Sequence, residues 1–389
     1  MRHAGRDGPR GEATGASRAA TLREAHMVTM ADVAREAGVS AATVSYVVSG
    51  SRQISAPTAA KVRAAIAKLG YEVNQTARNL ASSRTGTIGI VVPSYKAAGF
   101  SLSLSSFLCD YATNANARGY DTLLLTDAYD EMTTLRKAVA MKKVDGVILM
   151  DAERDDPRLP VLRDAGLPAV LMGPLPDGGS ASAALPSLDG VYTDFAAAAD
   201  EAIACLYDHG HRDVVLVADA SRLERRGVQY VTLFGTEARR AAEARGMTLH
   251  VIADGDDAGQ ADGADNADAN SIDANATDGS ADVIDRALDR WPEATAMIIH
   301  NDAATIGASQ VLQRRGCAVP RDLSVMAIVP ARLAESLRIP FTSIRADSRV
   351  LAKAAVDMLA DRIADPGHPS AQRLVHAAMT DLGSVADRR

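Results

Sequence analysis

Residues 28–55 read Val-Thr-Met-Ala-Asp-Val-Ala-Arg-Glu-Ala-Gly-Val-Ser-Ala-Ala-Thr-Val-Ser-Tyr-Val-Val-Ser-Gly-Ser-Arg-Gln-Ile-Ser. The chemistry available in this run is hydrogen bonding and close contact, not bond cleavage. Ser40, placed to cap a helix, offers a hydroxyl and the free amides of a first turn, which together can hold a phosphate. The helix after it turns Val44, Val47 and Val48 inward and Ala41, Ala42, Ser45 and Tyr46 outward. An outer face with almost no large side chains lets a helix enter the major groove of duplex DNA.

The surrounding residues must position that face. Thr29 caps a first helix over 30–37, with Asp32 three residues on as a variant capping box. Val33, Ala34 and Ala37 form its inner stripe, and small Ala34 lets the next helix approach. Gly38 turns the corner, where positive φ is cheap only without a Cβ. Val39 anchors the turn, the second helix covers 40–48, and a third covers 58–69. Gly70-Tyr71-Glu72-Val73-Asn74 breaks the pattern, a helix-compatible run follows at 75–82, and 83–86 reads as a linker. Residues 27–86 hold seven basic against three acidic residues, a net +4, and 1–26 add +2. The whole chain is at −7, so the remainder carries −13. A basic head on an acidic body fits phosphate binding at one end. A three-helix module without a nucleic-acid role is the bland alternative.

At 389 residues the chain has room for two or three domains, and its apolar and charged fractions are those of a soluble globular protein. Residues 1–26 lack periodicity and read as a disordered tail, and since the folded pattern begins after them, Met27 and Met30 stand beside Met1 as candidate translation starts. The tail has arginines but no apolar stretch of a secretory signal. Cys109, Cys205 and Cys317 fit no metal spacing and read as buried thiols in a reducing compartment, hence a cytoplasmic, nucleoid-associated protein. From 87 onward, apolar runs at 88–92, 122–125, 147–150, 169–172, 214–218, 297–299 and 325–329 read as buried strands. Helical stretches at 104–117, 133–143, 157–165, 195–209, 282–290, 303–315 and 349–364 alternate with them. The fold class is therefore α/β: an all-α headpiece on a two-lobed, doubly wound core, with the default ligand site in the cleft between lobes. Residues 254–281 are rich in Asp without Lys or Arg and read as a disordered acidic insertion; a calcium loop lacks its Glu and Gly pattern.

The motif Asp32-Val33-Ala34-x-x-Ala37-Gly38-Val39-Ser40-x-x-Thr43-Val44-Ser45, then Ser55, then Ala65-x-x-x-Leu69-Gly70-Tyr71-x-x-Asn74 and Ala77-x-x-Leu80, resembles the LacI/GalR family of bacterial transcriptional regulators. The α/β remainder resembles that family's core, itself similar to periplasmic sugar-binding proteins. The resemblance implies that Thr29, Ser40, Thr43, Ser45, Ser55 and Asn74 hold phosphates, and that Ala41, Ala42 and Tyr46 occupy base-reading positions. Ala77 and Leu80 would lie on a hinge helix, with Leu80 wedged between base pairs in the minor groove. It also implies a homodimer on a near-palindromic operator. Many relatives have Arg where Tyr46 stands. Tyr cannot pair bidentately with guanine, so the half-site should differ from the common family consensus at the base facing Tyr46.

In the core, the resemblance points to Phe100, Ser101, Ser103, Asp194, Arg225, Asn301 and Asp302 as effector-binding candidates. Asp194 and Asp302 serve equally well as helix caps. His209-x-His211 could form a metal pair, but a helix C-terminus explains it better. The family's usual acid after the Ser-Val strand is replaced by Met326-Ala327-Ile328-Val329-Pro330. That weakens the expectation of a carbohydrate without removing it, and favours a less polar or differently functionalised effector, or none. No catalytic constellation, metal site or cofactor motif stands out. The expectation is a DNA-binding regulator, a repressor by family habit, controlled by a small molecule and not an enzyme. The alternative is a sugar-type binding protein without a DNA role. A membrane partner is not expected.

Overall fold

The computed structural model describes residues 28–49, 52–71, 84–92, 102–126, 131–174, 188–218, 227–253 and 277–388. The chain divides into two compact units, the first ending at Arg78. The first unit has three described helices, α1 (Met30–Ala37), α2 (Ala41–Ser49) and α3 (Ala56–Leu69). They close on Val33, Ala34, Val44, Val62, Ala65 and Tyr71. The third helix begins two residues before the expected Thr58, because a proline in the first turn needs no intrahelical donor. Gly70 ends it in the left-handed region. The expected hinge run 75–82 lies outside the described residues, as do 1–26.

The second unit holds two six-stranded sheets. Its elements run β1 (Thr87–Val92), α4 (Leu102–Ala117), β2 (Asp121–Thr126), α5 (Glu131–Ala140), β3 (Gly146–Met150), α6 (Arg158–Asp164), β4 (Ala169–Met172) and β5 (Asp189–Thr193). There follow α7 (Phe195–Asp208), β6 (Asp213–Val217), α8 (Gln229–Ala244), β7 (Thr248–Ile252), α9 (Thr277–Arg290), β8 (Ala296–Ile299), α10 (Asp302–Arg314) and β9 (Ser324–Ala327). The last are α11 (Ala331–Ser336), β10 (Thr342–Arg345), α12 (Ser348–Ala364), β11 (Gln372–Val375) and β12 (Ala378–Thr380).

The first sheet has the order β11-β5-β4-β3-β1-β2 with every pairing parallel. The second has the order β12-β10-β9-β8-β6-β7, in which only β12 is antiparallel. Helices cover both faces of each sheet, which is why the central strands are continuous apolar runs. On the first sheet, α4 and α12 bury one face and α5 and α6 the other. On the second, α7 and α8 cover one face and α9 and α10 the other. Gly146 lets α12 close on β3, since a Cβ there would stand 2.8 Å from Leu359 Cδ1. The chain passes between lobes three times: after β5, after β10 and after β11.

Several expectations are corrected. Arg84, Thr85 and Gly86 are not a free linker. The Thr85 and Gly86 amides donate to the Asp145 carboxylate at 2.6 and 2.8 Å, and Arg84 Nη2 donates to the Ile363 carbonyl at 2.9 Å. The helix after the acidic run begins at Thr277, so 277–281 belong to α9; residues 254–276 lie outside the described residues. Helices α8 and α11 and strands β5, β7, β10, β11 and β12 were not among the expected elements. Cys109 is exposed rather than buried. His211, far from a helix-end cation, is fully buried: Nε2–H donates to the Ala386 carbonyl at 3.1 Å and Nδ1 meets Thr295 Oγ1 at 2.8 Å. Burial pushes its pKa down to about 4, so it is held neutral. No described helix is long and apolar enough to cross a membrane.

Candidate nucleic-acid interface and inter-lobe cleft

Helix α1 opens with a complete capping box. The Asp32 amide donates to Thr29 Oγ1 at 3.3 Å, and the Thr29 amide and hydroxyl donate to Asp32 Oδ2 at 3.0 and 2.6 Å. Those bonds hold the Asp32 carboxyl below the usual carboxylate range. Gly38 stands at φ +66°, and the Val39 amide returns to the Ala34 carbonyl at 3.0 Å. This corner aims α2 across α1. Ser40 Oγ accepts from the Thr43 amide at 3.1 Å and lies 2.9 Å from Thr43 Oγ1. Two of the phosphate candidates are thus locked to each other and to the first turn.

Val44 is fully buried, while Ala41 and Ala42 are exposed and Ser45 and Tyr46 half-buried. The outward face is therefore shallow, as the sequence implies, and carries no acidic or basic residue over its nine positions. The guanidinium of Arg52 lies 5.7 Å from the centroid of the Tyr46 ring. Ser55 precedes α3 without capping it; its hydroxyl meets Thr58 Oγ1 at 2.9 Å instead. Asn74, Ala77 and Leu80 lie outside the described residues.

In the second unit, Ser103 and Asp302 meet. The Ser103 amide, in the first turn of α4, donates to Asp302 Oδ2 at 3.3 Å. The contact joins the two lobes and places a carboxylate at a helix N-terminus, where its charge is favoured. Asn301 caps α10, its Oδ1 accepting from the Ala304 amide at 2.6 Å. Asp194 caps α7 through the Ala197 amide at 3.0 Å. A second approach between lobes lies where a Cβ on Gly227 would stand 2.9 Å from Arg154 Cβ. Phe100, Ser101 and Arg225 lie outside the described residues.

Two parts of this region escaped sequence reasoning. The first is an aromatic group on the second lobe. His300 stacks on Phe234 at 4.8 Å and meets Phe195 and Tyr230 edge-on at 5.7 and 6.4 Å. Phe195 follows Asp194 and His300 precedes Asn301 in the chain, while Tyr230 and Phe234 come from α8, so the group lies beside those two caps. Burial, helped by the nearby Arg345 charge, pushes the His300 pKa down to about 3. The second is the buried pair of Arg158 and Asp156 at 2.6 Å, which closes the end of β3 by donating to the Met150 and Asp151 carbonyls. At the end of β9, Val325–Val329 is wholly buried and Arg345 Nη1 donates to the Ile328 carbonyl at 3.1 Å. The segment Met326–Pro330 itself carries no carboxylate where the resemblance would put one.

Residues 29–74 match the model of bacterial regulatory proteins of the lacI family, and 203–385 match the periplasmic binding protein-like domain. The chain is 28% identical over 320 residues to catabolite control protein A of Priestia megaterium, covering 82% of this chain and 87% of that protein. It is 29% identical over 345 residues to the HTH-type transcriptional regulator CelR of Thermobifida fusca, covering 86% and 92%. Among solved structures, a transcriptional regulator CelR–cellobiose complex superposes with TM-score 0.63 at 25% identity, covering 92% of this chain and 99% of that one. The lac repressor dimer bound to operator and the anti-inducer ONPF superposes with TM-score 0.67 at 22% identity over the same shares. The relatives named are transcriptional regulators, not enzymes. The chain thus pairs a lacI-type helix-turn-helix with a periplasmic-binding-like core, and the relatives it matches are LacI-family transcriptional regulators.

Proposed function

We propose that the chain is a sequence-specific repressor that binds a near-palindromic operator as a homodimer and answers to a small molecule held between its lobes. The carrying observation is the shallow outer face of α2, set by Gly38 and the Ser40–Thr43 cap and backed by Val44. In this reading the headpiece spans 27–84 with a hinge near 75–82, and the rest is the control core. Thr29, Ser40, Thr43, Ser45, Ser55 and Asn74 hold phosphates, Ala41, Ala42 and Tyr46 face bases, and Ala77 and Leu80 lie on the hinge. Asp194, Asn301 and Asp302, with Ser103, Phe100, Ser101 and Arg225, face the effector. The core works by binding and has no catalytic activity of its own.

The Ser103–Asp302 bond supports control by lobe closure, because a ligand that competes for it shifts the lobes between two arrangements. The CelR structure is a complex with cellobiose. Here the apolar end of β9 and the buried rings of the second lobe favour a less polar ligand. Electrophoretic mobility shift with genomic duplex fragments across a salt series tests the reading. Tight, sequence-selective binding that weakens linearly in log salt is expected. A protein that binds a sugar in thermal-shift assays but no duplex would instead be a binding protein without a DNA role.

A further inference from the structure

A cation without a carboxylate partner among the described residues stands at the carboxyl end of the second sheet. Arg345 is the last residue of β10 and is half-buried. Its chain neighbours pack in different lobes, Ile344 in the second and Ala346 in the first. Arg345 Nη1 donates to the Ile328 carbonyl at 3.1 Å, which holds the guanidinium at the end of β9. Among the described residues Nε and Nη2 have no partner. Those two nitrogens form a fork that takes a carboxylate or phosphate side-on. Acids of the neighbouring elements are engaged elsewhere: Asp302 accepts from the Ser103 amide, Asp194 from the Ala197 amide, and Asp347 pairs with Arg349. Half-burial strips a charge of part of its hydration, and an opposite charge compensates that loss. The Ser103–Asp302 contact turns this end of the second sheet toward the other lobe. Ser343 and Ile299 both lie opposite Ala327. Two residues further along each strand, Arg345 and Asn301 flank Val329 and stand about 10 Å apart, two strand spacings. Between them the end of β9, Met326–Pro330, offers no polar side chain.

We propose that Arg345 anchors an anionic ligand between the lobes: a small organic acid whose carboxylate or phosphate group accepts from Nε and Nη2. This deepens, and rests on, the reading of the core as a small-molecule-binding unit. The ligand's body extends toward Asn301 and is apolar, since the end of β9 has no side chain to bond hydroxyl groups. Its far end, near the Asp302 carboxylate, carries no second negative charge. One charged end on an apolar body separates this ligand from a neutral sugar. Because the chain crosses from one lobe to the other at Arg345, an anion held there bears directly on the crossover.

Thermal shift of the full-length protein at constant ionic strength, followed by calorimetric titration, tests this. The probes are aliphatic and aromatic carboxylates and phosphate monoesters, from hexanoate and benzoate to phenyl phosphate. Each is run beside its amide or parent alcohol, with glucose, cellobiose and inorganic phosphate for comparison. At least one acid should raise the midpoint saturably where its uncharged counterpart does not. Arg345→Gln, which can still donate to the Ile328 carbonyl, should weaken that acid about 10- to 150-fold, the loss of a hydrogen bond to a charged group. Arg345→Lys should weaken it less, because it keeps the charge and loses only the fork. A response confined to carboxylates or to phosphate monoesters supports the proposal and names the group. A panel in which no organic acid shifts the wild type overturns it, as does equal binding of an acid and its amide. Unchanged binding by Arg345→Gln, or a shift by inorganic phosphate as large as that by any acid, overturns it too. Duplex binding measured on the same sample keeps the two readings apart: a protein that takes the acid through Arg345 but binds no duplex upholds this proposal and loses the DNA-binding one.

Discussion

Nothing lies within 4 Å of where a Cβ would stand on Gly38, so that residue is needed for its backbone alone. Gly38→Ala should cost about 1 kcal/mol of headpiece stability, the penalty of a left-handed L-residue, with no steric clash added. Urea unfolding of the variant checks it. His211 is a different case, because its effect depends on pH. Its folded pKa is lowered to about 4 from an ordinary 6.5, so the unfolded chain binds the extra proton between those values. Stability is then full above pH 6.5 and is lost as pH falls toward 4, and His300 adds to the loss over the same range. Unfolding midpoints should fall through that window, and less steeply in His211→Gln. At this scale the sequence was most readable where partners are local. The Thr29–Asp32 box and the Gly38 corner follow from a few neighbouring residues. The ring group around His300 does not, because Phe195, Phe234 and His300 lie on three separate elements.

Asp189 begins β5 and Arg362 lies in the last turn of α12, and the two form a buried pair with Nε to Oδ2 at 3.0 Å. Arg362 also donates to the Pro366 and His368 carbonyls, and Asp189 accepts from the Ala371 amide. The pair ties β5 to the helix and to the turn that leads into β11. Removing either partner alone should destabilise by about 3–5 kcal/mol, since it leaves a buried charge uncompensated. Replacing both with apolar residues of similar volume should cost much less, and denaturant titrations of Arg362→Met, Asp189→Leu and the double variant separate the cases. The elements that escaped the sequence reading have local reasons. The start of α8, Gln-Tyr-Val-Thr-Leu-Phe-Gly, mixes β-branched, aromatic and glycine residues that weaken a helical signal; tertiary packing of Phe234 and Ala238 against the second sheet overrides it. Strand β5 has glycine and tyrosine within five residues, and β7 alternates weakly, so neither shows a continuous apolar run. The first turns of α9 hide in an acidic stretch because the helix has apolar residues on only one side.

Taken as a whole, the second unit is two similar lobes in contact through the Ser103 amide and the Asp302 carboxylate. Asp302→Ala removes the acceptor. It should leave operator binding without ligand within a few-fold of wild type but abolish the change in operator affinity that an effector produces, a coupling typically worth 5- to 150-fold. Titrations with and without an effector found by thermal shift decide it. An unchanged response would mean that Asp302 is only part of the first turn of α10. The alternation of strand and helix foretold the two-lobed plan, because each parallel strand needs a crossover. Which lobe each late element joins was not readable, since α12, β11 and β12 are assigned by packing and not by pattern. Their assignment fixes an order of assembly. A nascent chain that has emerged only as far as β10 holds five of the second sheet's six strands and the helices over both its faces, with β12 still to come. The lobe it began first still lacks α12 over one face and β11 at its edge. During synthesis, therefore, the half started later can cover both faces of its sheet first, lacking its edge strand β12, while the half started earlier waits with one face uncovered until α12 is out.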